Sequence, residues 1–283
     1  MVNADDFGIS AGVNRGILEA HAAGVVSSVS VLVTTPGWED AVRRLRDLGE
    51  GGGGGGGGSL GVGLHLNLTV GQPISDVPTL REGRGARFRS LPALVVRALA
   101  GRISRADVAR ECAAQLARLR ETGVVVTHID SHRHVHVLPG VWTAVTETAG
   151  ASGVSVVRVP LEPAGGGGGG EVPNWCGLAK GAALWAAWAV AARGNAQTRH
   201  ADHFYGLSLQ GSRQFRDGVL ALLDRLETGT TELMVHPGYP DAVLAAWDGY
   251  VEARAAELAA LTSSPVRERF RRGDFRLTHF GEL

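Results

Sequence analysis

The sequence predicts an α/β protein with a parallel sheet, and three observations carry that reading. Short apolar, β-branched runs alternate with amphipathic segments along the chain, the pattern of repeated βα units. Chemically reactive side chains fall where several of those runs end, which is where open α/β sheets and α/β barrels gather their catalytic groups. The length, 283 residues, suits one α/β barrel better than two small domains.

The elements follow in order. A short strand ends at Asp5-Asp6, and a helix starts near Ser10 with Val13, Ile17 and Ala20 on one face. Residues 29–33 and 62–68 read as strands, the second followed by a Gly-Gln-Pro loop. Residues 106–122 form a helix whose apolar face holds Val108, Cys112, Leu116 and Leu119. Residues 124–130, 154–159 and 233–236 read as further strands, and 275–278 as a last short one. Two homopolymeric glycine runs, 51–58 and 165–170, have no side chains to pack and read as mobile loops. The second leads into 175–188, rich in Trp and Ala, which is either a helical lid or a buried helix. As a lid it would form an insertion at about 163–200.

Composition narrows the function classes. Lys plus Arg and Asp plus Glu balance at 28 each, so no net field recruits nucleic acid or an acidic membrane, and a small or neutral substrate is expected. Cys112 and Cys176 form no CxxC pair, which argues against a disulfide framework or a zinc knuckle and fits a reducing cytoplasm. The opening residues show no secretory pattern, and the longest apolar stretch, 181–192, is too short to span a bilayer. A cytoplasmic location is therefore expected. Lys180 is the only lysine among the 28 basic residues, the mark of a GC-rich coding sequence.

Four strand ends carry the chemistry. Asp5 and Asp6 are neighbours, so on an extended chain they point opposite ways; a bend could bring one to a metal and the other to substrate, or one could cap the next helix. His65 is polar within the apolar run 63–69, either a core histidine or a ligand completing an Asp-His-His set with Asp6 and His132. The segment His128-Ile129-Asp130-Ser131-His132-Arg133-His134-Val135-His136 has four histidines at even-numbered separations, which would share one face if extended. Four cannot all bind one metal that also takes an aspartate and a water, so one ligand is expected, with the others on substrate or orienting groups.

Four segments resemble the YdjC-like carbohydrate deacetylases: Val-Asn-Ala-Asp-Asp-Phe-Gly (2–8), Gly-Leu-His-Leu-Asn-Leu-Thr (63–69), Thr-His-Ile-Asp-Ser-His-Arg-His-Val-His (127–136) and Val-His-Pro-Gly (235–238). The resemblance runs in order over nearly the whole chain. It implies a distorted (β/α) TIM-like barrel, a single domain over 1–283, holding one divalent ion, zinc or else magnesium. It further implies that Asp6, His65 and His132 are the metal ligands, Asp5 the general base and His236 the acid. Arg158, in an Arg-x-Pro element, would orient the base or substrate, and His134, His136, Asn67 and Trp175 are expected to bind substrate or support the ligands. The sequence departs from the family in a shorter first strand and in the glycine runs.

The implied activity is removal of an acetyl or other acyl group from the nitrogen of an amino sugar. The glycoside is expected to be an N-acetylglucosaminyl glycopeptide-antibiotic intermediate, a glycolipid or an oligosaccharide. The alternatives are a metal-dependent amidase or esterase on a non-sugar substrate, and a catalytically silent sugar-binding barrel. A matched acid and base argue against silence, since binding alone requires neither.

Overall fold

The computed structural model describes residues 1–50, 59–83, 85–163, 175–191 and 198–283, with the side chains of 49, 50, 175–180, 190 and 191 outside that description. Both glycine runs lie outside the described residues. The elements are β1 (Val2–Phe7), α1 (Ala11–Ala22), β2 (Ser28–Val31), α2 (Trp38–Glu50), β3 (Gly61–Leu66), α3 (Leu91–Leu99), α4 (Arg105–Arg120), β4 (Val126–Ser131), α5 (Val141–Ala151) and α6 (Trp175–Ala191). They continue with β5 (His203–Tyr205), α7 (Phe215–Leu223), β6 (Thr231–Val235), α8 (Ala242–Trp247), α9 (Glu252–Leu261) and α10 (Ser264–Arg271).

The strands form one six-stranded sheet in the order β4-β3-β2-β1-β6-β5, and every pair is parallel. From β1 the order runs outward both ways, through β2, β3 and β4 on one side and β6 and β5 on the other. The polar strand ends on β4, β3, β1 and β6 therefore rise from one edge around β1, where open α/β sheets bind ligands. Parallel sheets are covered on both faces, and β1, β2 and β3 are buried along their whole length. Along β1, Val2 and Ala4 join the apolar core, while the side chains of Asn3 and Asp5 bond to polar partners in the sheet interior. Ser10 caps α1 by accepting from the Val13 N–H, so the residue after the Asp-Asp loop, not either aspartate, starts the helix.

The α/β class and parallel sheet agree with the sequence reading, but the described strands do not make a full eightfold barrel. Residues 154–159, expected as a strand, contribute single parallel bridges, Val157 to Ile129 and Val156 to Arg199, which continue the sheet's curl beyond β4. Residues 275–278 form no strand, and the three-residue β5 was not anticipated because it is too short to show a period. The histidine segment is not extended: β4 stops at Ser131, and His132–Val137 forms a tight 3₁₀ turn in which Arg133 and His134 have φ of 61° and 55°. The four histidines therefore do not share one face.

Among the described residues no helix is long and apolar enough to cross a membrane. Cys112 lies on the buried face of α4, and burial with the neighbouring Glu111 charge pushes its thiol up to about 12, so it acts as core. Cys176 lies outside the described side chains.

Candidate active site and metal centre

Asp6 stands at an irregularity in the β1–β2 register between Ala4 and Phe7, with φ of 68°. This left-handed conformation is costly for a residue with a Cβ, and its effect is to point two consecutive carboxylates at one site. Asp6 Oδ1 lies 2.9 Å from His132 Nδ1 and 3.3 Å from His65 Nε2. Its Oδ2 accepts from Arg254 Nη2 at 2.6 Å. Asp6, His65 and His132 are all buried, and each offers one ligand atom within 4.8 Å of the others.

The donors suit a small divalent cation. Ligands about 2.1 Å from a tetrahedral ion stand about 3.4 Å apart, close to the spacings here. His65 Nδ1 is engaged by Asp130 Oδ1 at 2.8 Å, which leaves Nε2 as the atom facing Asp6. A carboxylate behind a ligating imidazole is the usual arrangement that fixes its tautomer and strengthens it as a donor. His132 Nε2 is buried and has no hydrogen-bond partner among the described residues.

Charge is concentrated here. Burial opposes a charged His65, but Asp130 and Asp5 outweigh it and raise the imidazole to about 10. Burial likewise opposes ionised Asp6, yet His132 and Arg254 hold it well below the usual carboxylate range. A ligating imidazole must be neutral, so a cation entering the trio displaces the His65 proton.

Asp5 occupies different surroundings. Arg158 grips it through both oxygens, Nη1 to Oδ2 and Nη2 to Oδ1 at 2.8 Å each, and Asn3 donates to Oδ1 at 2.8 Å. Arg158 is fully buried and also contacts Asp130 Oδ2 at 2.5 Å and Glu232 Oε1 at 2.7 Å. Ser30 links Asn3 to Asp130 and touches His128 Nε2 at 3.0 Å. A cation could be imagined among Asp5, His65 and Asp130, which also lie close together, but Arg158 already binds both carboxylates. His128 is held neutral: burial, with the Arg158 and His65 charges, takes it down to about 3 against the pull of Asp130. A Cβ at Gly63 would come within 2.2 Å of the His128 ring, so only glycine lets β3 pass this side chain.

His236 follows β6 directly, and its Nε2 stands 4.0 Å from Asp5 Oδ2. Its backbone N–H donates to Glu257 Oε2 at 2.6 Å. His136 is locked, with Nδ1 at 2.6 Å from Ser131 Oγ and Nε2 at 2.9 Å from the Arg158 carbonyl. His134 packs edge-on to Phe204, and its Nδ1 is buried without a partner among the described residues. Asn67 is spent on its own loop: its amide donates to Thr34 Oγ1 and the Val70 carbonyl and accepts from the N–H groups of Thr69 and Val70. Trp175 begins α6, and its side chain lies outside the described residues.

The structure thus brings Asp5, Asp6, His65, His132, Arg158 and His236 together and keeps Asn67 on its loop. Sequence reasoning left three participants without a role: Asp130, which holds His65; Glu232, which shares Arg158; and Arg254, which holds Asp6. Asp130 was visible on the histidine strand, and Glu232 directly precedes the apolar run 233–235. Arg254 lies in an Ala- and Glu-rich helix with no local signal at all.

A curled parallel α/β sheet with an Asp-His-His cluster, and a second aspartate and histidine beside it at one strand-end edge, defines a hydrolase-type site on an α/β scaffold. Comparison with known proteins gives the particular family: the YdjC-like protein model matches residues 1–272, and the chain belongs to that family. It is 35% identical to a carbohydrate deacetylase of Geobacillus stearothermophilus, over 93% of this chain and 88% of that one. It is 33% identical to a carbohydrate deacetylase of Brevibacillus brevis, covering 100% and 98% of the two chains. A human carbohydrate deacetylase is also 33% identical, over 100% and 90%. The fold is similar to that of a solved Enterococcus faecalis protein provisionally described as cleaving cellobiose-phosphate, with a TM-score of 0.74 at 24% identity over 100% and 97% of the chains.

Proposed function

We propose that the chain is a metal-dependent carbohydrate deacetylase that hydrolyses the N-acetyl group of an amino sugar, an N-acetylglucosaminyl group foremost. The observation that carries this reading is the adjacency of two sets: Asp6, His65 and His132 as a cation-binding trio, and Asp5 with His236 beside it at 4.0 Å. The full-length relatives named carbohydrate deacetylases supply the substrate class.

A divalent ion, zinc foremost, held by Asp6 Oδ1, His65 Nε2 and His132 would acidify a water and polarise the amide carbonyl. Asp5 Oδ2 takes the proton from the attacking water, with Arg158 fixing the carboxylate's orientation. The water oxygen bonds to the carbonyl carbon, the C–N bond breaks, and protonated His236 delivers a proton to the leaving amine. Acetate and the free amino sugar result. Amide nitrogen leaves poorly as an anion, so the acid is required.

Helix α6 packs against the His132–Val137 turn, which places a Trp- and Ala-rich element beside a proposed ligand. Trp185 is half-exposed and donates from its indole to the Glu162 carbonyl at 3.3 Å, whereas Trp188 packs edge-on to it and against the core. The exposed indole suits a cover over the acceptor side of the pocket, where a glycolipid or glycopeptide would extend. Trp185→Ala is expected to raise KM for substrates with large apolar groups several-fold, leaving small N-acetylglucosamine derivatives and the melting temperature unchanged. A uniform activity loss with a large drop in melting temperature would make α6 simply core.

The central test is acetate release from N-acetylglucosaminyl oligosaccharides, glycolipids and glycopeptides. Chelated protein should be inactive and one equivalent of zinc should restore it. Activity that persists in metal-free protein, or hydrolysis confined to non-sugar amides or esters, would overturn the reading.

A further inference from the structure

Arg254 is among the largest fully buried side chains in the molecule, yet it lies 248 positions from the aspartate it binds. Every atom of it that bonds does so near the site. Nη2 donates to Asp6 Oδ2 at 2.6 Å and to Asp248 Oδ2 at 2.8 Å. Nε donates to the Tyr250 carbonyl at 2.7 Å, and the residue's own carbonyl accepts from the Gly238 N–H at 3.2 Å. Gly238 is two residues beyond His236, and His236 is itself tied to α9 through its N–H to Glu257 Oε2. Tyr250 completes the tie, donating its hydroxyl to Glu257 Oε1 at 2.5 Å and stacking edge-on 5.4 Å from the His236 ring.

We infer that Arg254 is a positioning residue that makes Asp6 a one-oxygen ligand and, with Tyr250 and Glu257, fixes His236 relative to the metal-binding trio. The guanidinium removes freedom from the Asp6 carboxylate. A free carboxylate can chelate through both oxygens or swing away; with Oδ2 committed to Arg254, only Oδ1 faces His65 and His132. Asp6 also sits in a left-handed backbone conformation that it would leave unless the surroundings over-determined it, and Arg254 supplies a strong charge-assisted contact that does so. A desolvated ion pair this deep is worth little as a generic stabiliser, which favours a role in geometry. The segment 248–257 therefore braces the ligand half and the acid half of the site at once.

The inference rests on the metal-dependent reading above, and its test separates the two. Zinc affinity is measured by competition with a chelating dye in wild-type protein, Arg254→Gln and Arg254→Lys. The Gln variant should bind zinc about 10- to 100-fold more weakly, the usual cost of losing a partner behind a ligand. The Lys variant should recover part of that loss, because an ammonium can still hold Oδ2. At saturating zinc the Gln variant should keep KM and show a lowered kcat with an altered alkaline limb of its pH profile, since His236, the proton donor, is no longer held. If Arg254→Gln fails to fold, Asp248→Asn serves instead, loosening the same Nη2 from its second anchor and giving a smaller loss in the same direction. Unchanged zinc affinity in a folded variant, or restoration of full kcat and wild-type pH profile by excess zinc, would overturn the inference. Absence of stoichiometric zinc binding in the wild-type protein would instead sink the metal-dependent reading.

Discussion

Asp5 and Asp6 are the same residue type, adjacent in sequence and equally buried at 2% exposure, yet they occupy opposite electrostatic situations. Asp5 drops into a network where Arg158 answers both its oxygens and Asn3 adds a third hydrogen bond. Asp6 is turned out of the strand by its left-handed φ, so that one oxygen meets two imidazoles and the other meets Arg254. The Asp5 side is a set of charges already cancelled by protein groups; the Asp6 side converges donors on a space a cation can fill. A single backbone irregularity, costing on the order of 1–3 kcal/mol, separates a carboxylate clasped by Arg158 from one that faces two imidazoles.

The largest effects should come from exchanging these two positions' chemistry. Asp6→Asn, like His132→Ala, should abolish metal retention and with it activity. Asp5→Asn should keep an equimolar metal content while kcat falls at least about a hundredfold, the scale of a lost general base. Elemental analysis and steady-state kinetics on the three variants decide the matter. If Asp5→Asn loses the metal and Asp6→Asn retains it, the two roles are exchanged and the comparison breaks.

The same pair shows how far the sequence was legible. The α/β class, the parallel sheet and the strand-end location of Asp5, Asp6, His132 and His236 were readable because short apolar runs lead up to these side chains, and His65 because it interrupts one. What extended-strand reasoning got wrong was 128–136: the even-numbered separations of its histidines implied one shared face, but the left-handed residues Arg133 and His134 curl the chain into a turn. Strand 203–205 escaped notice through brevity, and the 154–159 segment pairs too briefly to be regular. Arg254 and Glu232 were invisible as site residues because their meaning lies entirely in partners 248 and 74 positions away. Long-range charge pairing leaves no periodic trace.

The smallest expected effect probes the compensated side without touching the ligands. Arg158 answers three carboxylates, Asp5, Asp130 and Glu232, and one guanidinium cannot neutralise all of them. Glu232 bears the consequence: burial, reinforced by Asp5 and Asp130 and opposed by Arg158, pushes it up to about 7. A carboxyl raised in the folded state binds a proton there that the unfolded chain has released. Stability from this group is therefore greatest below the unfolded value, near 4.5, and is lost as pH rises through about 7. Glu232→Gln fixes the neutral form, keeps a hydrogen-bonding partner for Arg158, and should remove that loss. Urea unfolding of metal-free protein between pH 4.5 and 8 should show the variant gaining on wild type as pH rises, by an amount on the order of 1–3 kcal/mol. Subtracting the two curves cancels the titration of His65, Asp6 and the other shared groups. A difference curve that is flat across this window would mean that Glu232 is ionised throughout, and that the network around Arg158 holds three carboxylates charged rather than two.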